Sequence, residues 1–113
     1  MGGDAASRDD EEIVVFRMTL RDHALDAYRK LHDAIWPELG SAIAAAGVLD
    51  YRIYHQDDSD LLIAVMRRRR DHQLDDLAAS SLMRRWWNMT KDMIVSDDDG
   101  VPVQRTLEEV FRL

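Results

Sequence analysis

The chain of 113 residues contains no cysteine. This absence excludes disulfide frameworks, thiolate metal sites and thiol catalysis together, and it fits a reducing compartment. No uninterrupted apolar run approaches the roughly 20 residues that span a bilayer, and the N-terminus has no apolar segment of the signal-peptide type. We therefore expect a soluble, cytoplasmic protein that has no membrane partner.

Positive charge is also scarce, since 15 Lys and Arg residues stand against 22 Asp and Glu residues and the formal charge is −7. This balance repels a phosphate backbone at long range, so nucleic acid is not an expected partner. The basic run from Arg67 to Arg70 has no interleaved aromatic residues and is typical of a solvated strand end. The histidines lack metal-type spacing and the Asp97 to Gly100 segment lacks the ligand pattern of an EF-hand, so we assign no metal.

The length of the chain permits one domain and excludes two. Residues 1–10 are small, polar and acidic, and they predict a disordered leader before a single domain over residues 11–113. A domain of this size buries roughly two-thirds of the surface of its unfolded chain, which leaves little core for an internal cavity. A ligand site is therefore expected in a cleft or at a subunit interface.

Hydrophobic patterning predicts four strands and two helical regions in the order βαββαβ. The strands are expected over residues 13–18, 51–55, 61–66 and 106–113, and the two central strands form a hairpin whose turn is residues 56–60. The first helical region starts with Asp22 as its N-cap and ends at Gly47. Pro37 disfavours helical geometry at Trp36, so this region is expected to kink there.

The second helical region is predicted as one amphipathic helix that Asp71 opens and that carries its apolar face as far as Met93. The complete order is that of a ferredoxin-like α+β fold, in which both helices cover one face of an antiparallel four-stranded sheet. The other face exposes apolar side chains. A second copy of the sheet would cover them, so we expect a homodimer with two-fold symmetry.

Tyr28 and His32 are four residues apart and share one helix face immediately before the kink. An imidazole titrates near neutrality and can transfer protons, so this pair is a candidate site. Core packing is the ordinary explanation of such a pair taken alone.

Trp86 and Trp87 point about 100° apart on a helix, so one indole can enter the core while the other reaches the flank. Their aromatic faces match the apolar C–H face of a sugar ring, and core packing is again the alternative. Tyr51 and Tyr54 must lie on opposite faces of their strand, so only one of them can serve a given pocket.

Several segments together resemble the L-rhamnose mutarotases, and the resemblance runs from about Ile13 to Leu113. They are Tyr-Arg-Lys-Leu-His-Asp-Ala-Ile-Trp-Pro-Glu-Leu from Tyr28, Tyr-Arg-Ile-Tyr from Tyr51, Arg-Trp-Trp from Arg85, Pro-Val from Pro102 and Leu-Glu-Glu-Val-Phe from Leu107. The joint presence of H-x-x-I-W-P-E-L and R-W-W in this order is more specific than either motif alone. Two departures bear on which sugar fits: His55-Gln56 replaces a frequent Leu-Asp, and Asp97 to Gly100 replaces an Asn-Pro-rich loop.

The resemblance implies a homodimeric, ferredoxin-like dimeric α+β barrel that interconverts the α and β anomers of L-rhamnose or a related aldose without a cofactor. It places His32 at the proton donor's position, and it places the sugar-binding residues at Tyr28, Tyr51, Trp86 and Trp87. Two other functions remain open on this fold. One is a non-catalytic sugar-binding or regulatory module, and the other is a cofactor-independent monooxygenase-like or haem-degrading protein.

Overall fold

The computed structural model describes residues 10–113, so the predicted leader lies, apart from Asp10, outside the described residues. The elements are β1 (Glu11–Thr19), α1 (Leu25–Asp33), α2 (Pro37–Ala45), β2 (Val48–His55), β3 (Leu61–Arg69), α3 (Leu74–Ala78), α4 (Ser81–Thr90) and β4 (Arg105–Leu107). None of the helices within residues 10–113 combines the length and the apolar character needed to cross a bilayer.

The four strands form one antiparallel sheet in the order β2-β3-β1-β4. The two strands of the predicted hairpin are neighbours, and the first and last strands of the chain pair with each other. This is the sheet of the predicted ferredoxin-like α+β fold, which is therefore confirmed.

The buried face of the sheet is built from alternate residues of β1 and β3. Phe16 lies opposite Ala64, and Met18 lies opposite Leu62. They form one core with Tyr28 from α1 and other buried side chains. On the opposite face Ile13 keeps 65% of its surface and Tyr54 keeps 53%. The helices thus cover one face and leave apolar groups on the other, as predicted.

The last strand is shorter than expected. β4 ends at Leu107, whereas the sequence predicted a strand over residues 106–113. Beyond it, the Arg112 guanidinium bonds the Glu109 carboxylate at 2.6 Å. Residues three apart on a strand point to opposite faces, so this contact is incompatible with a continued strand.

The break in the first helical region is confirmed. Trp36 has the extended ψ of 128° that a following proline favours, and Pro37 is the first residue of α2. Gly47, with a φ of +110°, follows the end of α2, where the sequence predicted the stop.

The predicted N-cap of this region is wrong. α1 begins at Leu25, its cap position is Ala24, and no side chain caps it. His23 has a φ of 61°, and the Ala24 N–H donates to the Arg21 carbonyl at 3.2 Å. Asp22 therefore belongs to a tight turn rather than to the helix start.

The second helical region is two helices instead of one. Ser80 is extended, with φ −74° and ψ 151°, and its hydroxyl accepts the Met83 N–H at 3.2 Å. The same hydroxyl donates to the Leu77 carbonyl at 2.6 Å. A serine that bonds the backbone in this way competes with helical bonds, and it ends α3 and caps α4.

The start predicted at Asp71 is also wrong. α3 begins at Leu74, whose N–H donates to Nδ1 of His72 at 3.2 Å. Asp71 lies outside the helix and pairs with Arg69 at 3.4 Å. Met93, the predicted far end, follows α4 and its last residue Thr90.

The arginines of the basic run form ion pairs at one end of the paired strands β1 and β3. Arg67 bonds Glu11 at 2.8 Å, and Arg68 bonds Glu12 at 2.7 Å. The hydrogen bond from Arg68 lowers the pKa of Glu12 below its ordinary value. Cross-strand ion pairs thus account for these arginines at the strand end.

Candidate functional site

One group of contacting rings joins the two helical regions, and we term it the aromatic cluster: Tyr28, His32, Trp36 and Trp86. The rings of Tyr28 and His32 lie 4.1 Å apart with a tilt of 31°. Trp86 meets the imidazole edge-on, at 5.4 Å and 79°. The four-residue spacing in α1 produces the first contact, whereas the second requires α4 to pack beside α1.

The imidazole of His32 has a fixed orientation. Its Nδ1 lies 2.9 Å from the carbonyl oxygen of Tyr28, one helical turn earlier. A carbonyl oxygen can only accept, so Nδ1 must carry the proton of this bond. In the neutral ring Nε2 then has a free electron pair, and it is the atom that can exchange a proton with a ligand.

Burial lowers the pKa of His32 below 6.5, and this effect outweighs the bond to the Tyr28 carbonyl and the charge of Asp33, which both raise it. Burial has this sign because a low-dielectric surrounding disfavours the charged ring. The imidazole is therefore mainly neutral at pH 7. At rest its Nε2 is an acceptor.

Two tyrosines bring hydroxyl groups to the same region. Burial raises the pKa of Tyr28 to about 12. Burial also raises the pKa of Tyr51, and the nearby Tyr28 hydroxyl contributes to the shift. Tyr51 also keeps 37% of its surface, so part of its side chain is accessible to a ligand. Both hydroxyls are protonated donors at pH 7.

Tyr51 reaches this position from the sheet. It lies opposite Met66 on the buried face, and its ring meets Phe16 edge-on at 6.4 Å. Tyr54 lies opposite Ile63 and keeps 53% of its surface. The prediction that the two tyrosines occupy opposite faces is confirmed, and Tyr51 is the one on the helix side.

Trp36 was not among the candidate residues, although the sequence analysis placed the helix break there. Its ring lies 5.2 Å from that of Trp86, at 81°. The guanidinium of Arg85 lies 5.8 Å from the centre of the Trp36 ring. The signal in the sequence was a large aromatic residue at the break between two helices. The indole of Trp36 belongs to neither helix and can project from the junction between them.

Trp87 points elsewhere. The Arg84 guanidinium lies 5.6 Å from its ring, and the indole lines an open cavity of about 430 Å³ together with Arg21 and the segment 96–100. Within residues 10–113, no ring contact joins Trp87 to the aromatic cluster. The structure thus brings Tyr28, His32, Tyr51 and Trp86 together and leaves Trp87 on the flank of α4.

Comparisons with known proteins identify the family. The profile of the L-rhamnose mutarotases matches residues 14–113. The chain belongs to the L-rhamnose mutarotase family. An L-rhamnose mutarotase of Burkholderia orbicola is 47% identical over 102 residues, which are 90% of this chain and 98% of the relative. One of Burkholderia cenocepacia is 46% identical with the same coverage.

The solved structure of an L-rhamnose mutarotase from Formosa agariphila superposes on this mutarotase-family chain with a TM-score of 0.81. The two share 31% identity, and the match covers 90% of this chain and 98% of the other. The resemblance stated from the motifs is therefore confirmed over nearly the whole domain. The aromatic cluster lies entirely within the matched residues 14–113.

Proposed function

We propose that the protein is an aldose mutarotase, a carbohydrate isomerase that interconverts the α and β anomers of L-rhamnose. Relatives named L-rhamnose mutarotase match it over 98% of their length. The observation that carries the chemistry is the Nδ1 contact of His32 to the Tyr28 carbonyl at 2.9 Å, because it leaves Nε2 as the single working atom of a half-buried imidazole.

Mutarotation opens the hemiacetal, rotates the C1–C2 bond and closes the ring on the other carbonyl face. Opening removes a proton from the C1 hydroxyl and places one on the ring oxygen. In our proposal Nε2 of His32 accepts the first proton. It then acts as the proton donor to the ring oxygen while the bond between that oxygen and C1 breaks. One proton has then moved from the C1 hydroxyl to the ring oxygen. The sugar is an open-chain aldehyde, and His32 is neutral again.

Closure repeats the same steps in reverse after the bond rotation, so the group that donated the proton takes it back. A single imidazole therefore supplies both the acid and the base. Its lowered pKa suits this cycle, because the resting ring must be neutral to begin it. These proposed transfers use only a side chain of the protein, in keeping with the cofactor-independent reaction that the family resemblance implies.

The aromatic residues hold the sugar in this proposal. Tyr28 and Tyr51 donate hydrogen bonds to sugar oxygens, since the raised pKa of each keeps its hydroxyl protonated. Trp86, with 6% of its surface exposed, would meet the sugar only at the edge of its indole, whereas the half-buried Trp87 offers an indole face to the C–H groups of the ring. The place of Trp87 in this site is supported by the resemblance of the Arg-Trp-Trp segment to the family motif, since its indole lines the open cavity on the flank of α4.

We further propose a homodimer in the cytoplasm. Support for the dimer is the exposed apolar face of the sheet, on which Ile13 keeps 65% of its surface and Tyr54 keeps 53%. A second copy of the same sheet would bury both residues around a two-fold axis. Support for the location is the absence of cysteine, which fits a reducing compartment.

Exchange NMR of the L-rhamnose anomers tests the proposed reaction, with His32→Gln as the variant. We expect the wild type to accelerate exchange and the variant to lose about 10²- to 10⁴-fold, the usual contribution of a general acid or base. His23→Asn is the matched control, since His23 is exposed in a left-handed turn that asparagine tolerates.

Three results would contradict the proposal. A His32→Gln variant that keeps the wild-type exchange rate would remove the role of the imidazole. Binding of L-rhamnose without any acceleration by the wild type would instead indicate a non-catalytic sugar-binding module. Oxygen consumption, or a Soret band with added haem, would indicate monooxygenase or haem chemistry.

A further inference from the structure

We propose that Trp36 is a positioning residue that fixes the imidazole of His32 through Trp86. The proposal rests on the function proposed above, because anomer exchange is one of its readouts. Within residues 10–113, Trp36 makes no ring contact with His32 itself. Its effect on the imidazole must therefore pass through the indole of Trp86.

The backbone of Trp36 is held on both sides. Pro37 follows it and favours its extended ψ of 128°. The carbonyl of Trp36 accepts the N–H groups of Leu39 and Gly40, both at 3.0 Å, and so opens α2. An indole attached at this point has little freedom to shift with its own backbone.

The ring of Trp36 is held as well. One contact is the edge-to-face packing on Trp86 at 5.2 Å and 81°. The other is the Arg85 guanidinium, 5.8 Å from the centre of the ring, a distance at which a cation is attracted to an aromatic face. Trp36 thus meets two consecutive residues of α4 from the junction of α1 and α2.

Trp86 transmits this constraint to the imidazole. Only 6% of its surface is exposed, and its ring lies 5.4 Å from that of His32. On another side the imidazole meets the Tyr28 ring at 4.1 Å. The bond from Nδ1 fixes one edge of the imidazole. The rings of Tyr28 and Trp86 fix the orientation of the imidazole plane, and so they set the direction in which Nε2 points. Removal of the Trp36 side chain would leave Trp86 room to turn, and the His32 imidazole would then occupy a wider range of orientations.

Proton transfer depends steeply on the placement of the two heavy atoms, so a looser imidazole should lower kcat more than it changes KM. The variant is Trp36→Leu, which keeps an apolar side chain and removes the aromatic edge. We expect kcat for anomer exchange to fall about tenfold, which corresponds to the loss of one aromatic pair. Trp36→Phe restores an aromatic edge and should return kcat to within about twofold of the wild type.

Ile35→Ala is the matched control, since Ile35 lies in the same connection between α1 and α2 and belongs to no ring contact. The second readout is the NMR signal of the His32 imidazole in the protein without sugar, assigned by its absence in His32→Gln. We expect Trp36→Leu to shift this signal and Ile35→Ala to leave it in place.

The two readouts separate this proposal from the proposed function. A wild type without exchange activity contradicts the proposed reaction, while the imidazole signal still tests the role of Trp36. An unchanged kcat and an unchanged signal in Trp36→Leu would overturn the positioning role. An increase in KM alone would overturn it too, because it would make Trp36 a residue that contacts sugar. If Trp36→Leu shows no cooperative thermal transition, Arg85→Met replaces it, with the same expected signal shift and the same refuting result.

Discussion

Two glycines, one inside α2 and one just after it, respond to the same substitution in opposite directions. Gly47 has a φ of +110°, which side-chain-bearing residues rarely adopt, and a Cβ there would lie 3.1 Å from both Cα and Cβ of His72. Its neighbours cannot move freely, because the Gly47 carbonyl accepts the Arg69 N–H at 2.9 Å. Gly40 lies inside α2, and a Cβ there would meet nothing within 4 Å.

The magnitudes follow from these surroundings. Gly47→Ala should lower the free energy of unfolding by about 2–3 kcal/mol, since the backbone strain of a positive φ costs about 1–3 kcal/mol and crowding against a backbone atom adds to it. Gly40→Ala should raise it by about 0.5–1 kcal/mol, because alanine reduces the freedom of the unfolded chain and favours the helix. The two variants carry the same added methyl group.

Urea and thermal unfolding at one protein concentration measure both effects. For a domain of this length, 1 kcal/mol corresponds to about 4 °C in Tm, so Gly47→Ala should melt about 10 °C lower and Gly40→Ala a few degrees higher. Equal stability of Gly47→Ala and the wild type would refute the reasoning from φ. If the free energy of unfolding changes in the same direction in both variants, the added methyl group does not distinguish the helical position 40 from the left-handed position 47, and the reasoning also fails.

Three further predictions concern capping, titration and the tyrosine hydroxyl. Ser80→Ala removes the cap of α4 and should cost about 1 kcal/mol by urea unfolding, whereas Ser80→Asn should keep most of the stability. Because burial lowers the pKa of folded His32, its contribution to stability is present above the unfolded pKa of about 6.5 and is lost as the pH falls through the folded pKa. Anomer exchange should decline in the same acid window, and a rise in exchange there would show that the protonated ring starts the reaction. Tyr28→Phe keeps the ring contact with His32 and removes the donor, so KM for L-rhamnose should rise several-fold, as the loss of one hydrogen bond implies, while the imidazole signal stays in place.

The sheet could be predicted because its signals are local. Alternation along β2 placed Tyr51 and Tyr54 on opposite faces, and the register confirms it. The β4 strand was predicted too long because its apolar residues suit a strand as well as an exposed tail. The contact between Glu109 and Arg112 that decides the matter is a side-chain bond, which hydrophobic patterning does not contain.

The helix starts were less predictable because several side chains compete for the same backbone groups. Asp22 and Asp71 are both residues that commonly cap helices, yet a tight turn holds one and an ion pair with Arg69 holds the other. His72, a less usual partner, accepts the N–H of Leu74 instead. Composition can name the residues able to cap a helix, and the tertiary structure selects among them.

The same limit applied to the site. Spacing alone predicted that Tyr28 and His32 would share a face, because both lie on one helix. Spacing also predicted that the two indoles of α4 would diverge by about 100°. The apolar spacing placed Trp86 rather than Trp87 on the buried face of the region, but it could not place Trp86 beside His32, since that contact depends on how α4 packs beside α1.

Ser80 separates two helices that the apolar spacing joined into one. Its hydroxyl donates to the Leu77 carbonyl at the end of α3 and accepts the Met83 N–H at the start of α4. The apolar spacing nevertheless holds within α4, where Trp86 is buried and contacts the imidazole of His32 and Trp87 lines the open cavity. The direction of each indole is thus a local property of the helix, whereas the ring that Trp86 meets is set by the packing of α4 beside α1.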